Sequence, residues 1–248
     1  MNETIRELFE RKSVRVFEDR PITEETKSLI LQTALQAPTA GSMLLYTIID
    51  VTDAELKKQL AISCDGQPFI NKAPLVLIFL ADYQRWYDAY CQAGCEPRKP
   101  GEGDLLLACA DAIIAAQNTV VAAQSLGLGS CYIGDIIENC ETVRELLKLP
   151  EYVVPAAMVV YGYPADSQRI RKKPIRFDLD FIVSENQYHR LSWEEQERMH
   201  QSRNQKAGIS DREVREGIRA VCNRKYMSDF SLEMNRSAAL YLEEFRNN

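Results

Sequence analysis

Residues 104–129 read DLLLACADAIIAAQNTVVAAQSLGLG. The stretch is about as long as a bilayer span, but Asp111, Gln117, Asn118 and Gln124 interrupt it. A polar side chain without a partner in lipid is costly, so a membrane span is not expected. The spacing predicts instead a helix over 105–126, buried on most of its surface. A helix apolar almost all round needs cover on every side. Either it is the central element of a monomeric core or a second subunit covers part of it.

The chain alternates helix and strand outward from this helix. Downstream, Gly127-Leu-Gly129 breaks it, SCYIG reads as a strand, a helix runs over 139–147, and VVPAAMVVYGYP (153–164) closes the core. Pro155 is expected early in that strand, where a missing N–H is tolerable. Upstream, LVLIFLA (75–81) suits a buried strand, and Asp53 caps a helix reaching about Ser63. LLYTIIDV (44–51) is a further strand. Thr23 with Glu24 and Glu25 starts a helix ending near Ala37-Pro38, and a helix over 4–10 precedes RKSVRVF. Alternation without regular β-α-β spacing predicts an α+β fold, a mixed central sheet flanked by helices.

From Ser192 onward ten acidic residues face ten basic ones, so the first 191 residues carry the whole net charge of −6. This tail holds two helix-start boxes, Ser192-Trp-Glu-Glu195 and Ser210-Asp-Arg-Glu213. It reads as a helical C-terminal extension, 192–248, of a core over 1–191, with 201–208 a mobile polar connection.

Composition removes whole classes of function. The negative charge argues against nucleic acid as a partner. Seven cysteines at no repeated spacing give no disulfide framework, and MNETIRELFERKSVRVF has no basic-then-apolar leader. A cytoplasmic protein is expected. The only two histidines, His189 and His200, lie in or beside the tail, so neither a histidine-based triad nor a histidine-rich metal site fits the core. Cys91 and Cys95, at C-x3-C spacing, fall on one helix face and read as buried or incidental thiols. An enzyme of this composition takes its reactive atoms from an organic cofactor.

Two cation clusters stand out: RKSVR (11–15) and RIRKKPIR (169–176). Each alone suits a solvated face. Together in an acidic chain they suggest a fixed phosphate, because guanidinium forks pair bidentately with its oxygens. APTAGS (37–42) and GLGSCYIG (127–134) are small-residue turns that let a flat ring approach the backbone, although a helix C-cap also accounts for Gly127.

In this order, RKSVR, APTAGS, DGQPF (65–69), GLGSCYIGDI, VVYGYP and the basic stretch ahead of IVSENQY resemble the nitroreductase superfamily of FMN-dependent oxidoreductases. The tail, with VCNRKYMSDFSLEMNRSAALYLEEF, is similar to the branch of oxygen-insensitive NADPH nitroreductases and flavin reductases. The resemblance implies FMN held by Arg11, Ser13 and Arg15, lined by Thr39, Ala40 and Gly41, with Gln67 against the ring's polar edge. It implies backbone N–H groups from Tyr132, Ile133 and Gly134, and phosphate anchors in Arg176 with Lys173 beside it. Arg203 would grip the second phosphate of NADPH, unless it is an exposed helix-end arginine. The implied reaction is ping-pong hydride transfer from NAD(P)H to nitroaromatics or quinones in a homodimer, with no catalytic side chain and no metal. Flavin reduction, reductive dehalogenation and passive flavin binding are the other readings.

Overall fold

A computed structural model describes residues 1–209 and 213–246 of the chain. Contacts divide it into two compact units, Met1–Arg171 with the chain from Leu232 onward, and Lys172–Ser231. The boundary expected at 191 falls inside the second unit, and the last helix belongs mainly with the first.

In the first unit the order is α1 (Glu3–Glu10), α2 (Glu24–Ala34), β1 (Tyr46–Asp50), α3 (Ala54–Ser63), α4 (Pro68–Lys72), β2 (Leu75–Asp82) and α5 (Gln84–Gln92). The long helix α6 (Glu102–Ser125) follows, then β3 (Gly129–Ile133), α7 (Cys140–Leu147), β4 (Val153–Gly162) and α8 (Asp166–Ile170). The second unit contains α9 (Trp193–Lys206) and α10 (Val214–Val221), and α11 (Asp229–Arg246) returns to the first. Asn2, Thr23 and Asp53 cap α1, α2 and α3, each side-chain oxygen accepting a first-turn N–H.

The four strands among the described residues pair in the order β1-β2-β4-β3, every pair antiparallel. The fold is α+β as expected, and the parallel component of the sheet is a single bridge, Ser13 to Ser130. Both faces of β2 are buried, which explains its unbroken apolar run. Val76, Ile78 and Leu80 pack toward Leu60, Ile70 and Val143 of α3, α4 and α7. Leu75, Leu77 and Phe79 pack toward Ile30, Ala112, Ala116 and Val120 of α2 and α6. Pro155 sits where the register of β2 against β4 shifts between Phe79 and Leu80, and β3 pairs only with 158–162. Its missing N–H therefore falls outside the β3 ladder.

One face of α6 is buried through Leu105, Ala108, Ala112, Ala115 and Thr119. The other is open within the chain: Leu106 is 72% exposed, Leu107 52% and Ile113 47%. Leu8 and Phe9 of α1 and Leu29 of α2 are exposed as well. The cover expected on every side thus exists on one side only. A Schellman-type end stops α6, Leu128 N–H donating to Ala123 O (2.8 Å) around Gly127 at φ +76°.

Two glycines opposite each other in the β3–β4 ladder, Gly129 and Gly162, receive the N-terminal segment. A Cβ on Gly129 would lie 2.5 Å from Val14 Cγ2, and one on Gly162 2.6 Å from Phe17 Cδ1. The missing side chains let residues 13–17 lie against the sheet, with Val14 N–H donating to Ser130 O (2.9 Å) and Glu18 N–H to Tyr163 O (2.8 Å).

The start of α7 is capped from another helix. Asn139 lies in the left-handed region at φ +52° and makes no cap of its own. Its N–H donates to Glu233 Oε1 (3.1 Å) and the Cys140 N–H to Ser237 Oγ (2.9 Å), both on α11. These bonds satisfy two of the orphan donors of α7 and tie α11 to the core.

Two sequence expectations change, and a third lies partly outside the described residues. Residues 201–206 are helical rather than a connection: α9 runs through them, with Arg203 and Lys206 in the last turn where cations suit the helix dipole. The Ser192–Glu195 box forms as read, whereas Ser210, Asp211 and Arg212 lie outside the described residues and α10 starts at Val214. Cys91 and Cys95 do not share a helix face, because α5 ends at Gln92. Gly94 at φ +78° turns the chain, Cys95 N–H donating to Tyr90 O (3.0 Å), and both thiols are exposed.

The glycine contact gives a direct test. Gly129→Ala forces Val14 away and is expected to lower stability by about 1–3 kcal/mol, the usual cost of overpacking, measured by urea unfolding.

Candidate functional site

The segment 11–17 carries three of the expected site residues. Its seat on the sheet places Arg11, Ser13 and Arg15 beside β3. The Arg15 N–H donates to Gln168 Oε1 (3.4 Å), and its guanidinium lies 5.8 Å from the centre of the Phe69 ring.

The second basic stretch reaches the first through its opening residues. Lys12 Nζ donates to Arg169 O (2.8 Å) and to Arg171 O, where its charge suits the C-terminal end of α8. Arg171 in turn donates to the Ser13 carbonyl. The Cys131 thiol on β3 records the convergence. Burial pushes it up, while Arg15, a hydrogen bond with Ser13, and the charges of Arg11 and Arg171 pull it back. Arg11 Nε and Arg171 Nε are both buried without a hydrogen-bond partner. Buried guanidinium nitrogens left unpaired are costly, and an anion of phosphate geometry is what such donors fit.

The loop after α2 is held from beneath by α6. Asp111, 4% exposed, accepts from Ala40 N–H (3.0 Å), Leu45 N–H (3.2 Å) and the Thr39 hydroxyl. Thr39 Oγ1 accepts from Leu44 N–H (2.8 Å), and the Trp86 indole N–H from below binds Met43 O (2.8 Å). Gly41, Ser42 and Leu44 all have φ between +49° and +58°. A loop with this many left-handed residues is strained, and it persists because Asp111 over-determines it. A carboxylate in an apolar helix was the signal in the sequence, where it reads only as an argument against a membrane span.

A third group forms around Gln67, the residue before α4. Its Nε2 donates to Cys64 O (2.9 Å) and to Asp135 Oδ2 (2.5 Å). Asp135 follows Gly134, so the turn after β3 is joined to the turn before α4. Behind it lies Glu138, 3% exposed with Oε1 unpartnered. Burial first, then the charges of Asp135 and Asp65, a hydrogen bond with Asp135 and the charge of Glu233, raise its carboxyl from 4.5 to about 7.

Tyr132, Ile133 and Gly134 lie at the end of β3 and in the turn that follows it. The Tyr132 hydroxyl donates to Gln117 Oε1 (3.3 Å), and burial pushes the phenol up to about 12. Arg11, Ser13, Arg15, Thr39, Ala40, Gly41 and Gln67 all belong to this same first unit. Lys173, Arg176 and Arg203 belong to the second. There, Arg203 lies over the Phe177 ring at 4.6 Å, with His200 Nδ1 at 3.4 Å from its Nη2. Burial and then Arg203 lower the pKa of His200. Ser202 Oγ donates to Asp178 Oδ2 (2.5 Å), joining the segment before α9 to that helix, and a cavity of ≈ 530 Å³ opens between α9 and α10. Asp111 and Glu138 are candidate site residues outside the motifs, whereas Asp135, in GLGSCYIGDI, and Arg171, in the second cation cluster, lie within them but were not named as site residues.

The fold is α+β, with guanidinia from two distant chain segments seated on one side of an antiparallel sheet. The Nitroreductase family pattern matches residues 8–163, and the chain belongs to that family of oxidoreductases. It is 35% identical over 192 residues to an oxygen-insensitive NADPH nitroreductase of Salmonella typhimurium, covering 77% of each chain. It is 37% identical over 176 residues to an FMN reductase [NAD(P)H] of Bacillus subtilis, covering 70% of each. The structure of an NADPH:FMN oxidoreductase from Vibrio harveyi, complexed with NAD⁺, superimposes with a TM-score of 0.80 at 28% identity, covering 97% of this chain and 98% of that one.

The pH dependence of folding tests the Glu138 site. Unfolded, this carboxyl releases its proton near 4.5; folded, near 7. The folded state therefore binds the proton more tightly, and stability falls as pH rises from 4.5 through 7. Glu138→Gln is expected to flatten this loss, measured as Tm against pH beside the parent protein.

Proposed function

We propose that the protein is an FMN-dependent NAD(P)H oxidoreductase that reduces nitroaromatic or quinone acceptors by alternating half-reactions, as a cytoplasmic homodimer. The observation that carries this reading is the pair of buried, unpartnered guanidinium nitrogens on Arg11 and Arg171, drawn from chain segments about 160 residues apart in the sequence. When bound, FMN supplies the two-electron chemistry, accepting hydride from NAD(P)H and passing reducing equivalents to the acceptor.

The residues do the holding. Arg11, Arg15 and Arg171, with Ser13, offer a positive seat to the phosphate. Lys173 and Arg176 extend the same basic run and are proposed as further anchors. Ala40 and Gly41 present backbone to the ring, on a loop that Asp111 keeps in one shape through Thr39, Ala40 and Leu45. Tyr132, Ile133 and Gly134 lead from β3 into the turn and offer their backbone there. Preorganised donors of this kind stabilise negative charge without reorganising during reaction. No histidine lies in the first unit, so acid–base work by imidazole has no place there. Arg203 is proposed to meet the second phosphate of NADPH.

The open apolar face of α6, with Leu8, Phe9 and Leu29, supports the homodimer reading. Contiguous apolar surface of this kind marks an interface.

Retention of yellow flavin absorbance after reconstitution with FMN and desalting is the first measurement; a colourless protein would refute the reading. Arg171→Ala is expected to weaken FMN binding by about 1–3 kcal/mol, read by fluorescence titration. Ile113→Glu is expected to shift the dimer toward monomer in analytical ultracentrifugation. Arg203→Ala should raise KM for NADPH more than it slows transfer to the acceptor.

A further inference from the structure

Gln67 is a N-cap residue with its backbone fully used. Its N–H donates to Ala61 O (2.9 Å) and its carbonyl accepts from Ile70 N–H (3.2 Å). The side chain is held as firmly. An amide carries two N–H donors on nitrogen and an acceptor on oxygen. Both partners of Nε2, the Cys64 carbonyl and the Asp135 carboxylate, can only accept. Turning the amide over would set Oε1 against two oxygens, so the network fixes its sense. Both Nε2 donors are spent within the protein, while Oε1 has no partner among the described residues.

Asp135 is the partner that decides. Cys64 O alone fixes one N–H, at the end of a side chain that could pivot about it. Asp135 supplies the second point from a different element, the turn after β3. Asp135 also lies close enough to the buried Glu138 carboxyl for its charge to add to the rise in pKa that burial causes there.

On the reading that the site holds FMN, we infer that Asp135 is a positioning residue that makes Gln67 a hydrogen-bond acceptor toward the cofactor. Gln67 then meets the flavin's pyrimidine edge at N3–H. In the oxidised ring N1, N5, O2 and O4 only accept, and N3–H is the single donor along that edge. An acceptor-only amide thus selects a ring that carries N3–H and rejects one that lacks it. Specificity of this kind comes from a site group left unpaired by the wrong ligand.

The experiment compares FMN with 3-methyl-FMN by fluorescence titration against four proteins: the parent, Gln67→Leu, Asp135→Ala and Asp135→Asn. The parent should prefer FMN by about tenfold, the scale of one buried hydrogen bond left unmade. Gln67→Leu, which keeps most of the side-chain volume but none of its polarity, should lose that preference. Asp135→Ala should lose most of it, since the amide is free to pivot. Asp135→Asn should keep it, because its side-chain oxygen still accepts from Nε2. An equal preference in the parent and Gln67→Leu, or in the parent and Asp135→Ala, would overturn the inference, as would no preference in the parent.

If the parent protein binds neither flavin, the cofactor reading fails, and the amide's sense is then tested without it. In ¹⁵N-glutamine-labelled protein, the Gln67 side-chain N–H pair should exchange slowly in the parent and in Asp135→Asn, and fast in Asp135→Ala. Equal exchange in all three would overturn the role of Asp135.

Discussion

The site rests on a steric allowance at two facing positions of the sheet. Gly129 and Gly162 are register partners, and the side chains they lack are the space that Val14 and Phe17 occupy. Hydrophobic contact and two backbone hydrogen bonds then hold an otherwise irregular basic segment flat against β3 and β4. Without that seat, Arg11, Ser13 and Arg15 would lie on a free N-terminal arm. With it they meet Arg171, which arrives from the far end of β4 by way of α8. Mutual repulsion of three guanidinia opposes this arrangement. Lys12 bonding to the α8 carbonyls and Arg171 bonding to Ser13 offset part of the cost, and a bound dianion would supply the rest.

Two acids, Asp111 buried and Asp135 half-buried, do the complementary work. Asp111 sits in an apolar helix, and its charge is satisfied by donors from one loop. A buried carboxylate is tolerable only when hydrogen-bonded, and here the bonds run in both directions of benefit: the helix tolerates the acid because the loop feeds it donors, and the loop tolerates positive φ because the acid holds it. Asp135 plays a similar part for the Gln67 amide. None of these carboxylates pairs with a cation among the described residues. Their partners are N–H and O–H groups, so their effect is directional and they orient groups rather than neutralise charge.

Much of the fold was legible because it rests on local signals. The capped starts at Thr23, Asp53 and Ser192, the apolar run of β2 and the glycine end of α6 can all be read from neighbouring residues. The long helix was read as the core of a monomer or as partly covered by a second subunit, and the chain itself covers only one of its faces. Alanine and leucine look alike to periodicity whether a neighbour covers them or not. The short helix α4 and the turn that separates Cys91 from Cys95 escaped because each depends on one or two backbone conformations.

By itself the sequence determined the alternation of elements, the placing of both histidines at 189 and 200 and the presence of two cation clusters in an acidic chain, since composition and short-range pattern suffice for these. Which cation of the second cluster faces the first was decided only by the tertiary structure. Five cations within eight residues have equal claims on paper, and the path of β4 and α8 brings Arg171 to Ser13. The sense of the Gln67 amide, the hold of Asp111 on its loop and the cap that α11 gives α7 are likewise tertiary. Each joins residues dozens of positions apart, through hydrogen bonds whose geometry exists only once the sheet and its helices have packed.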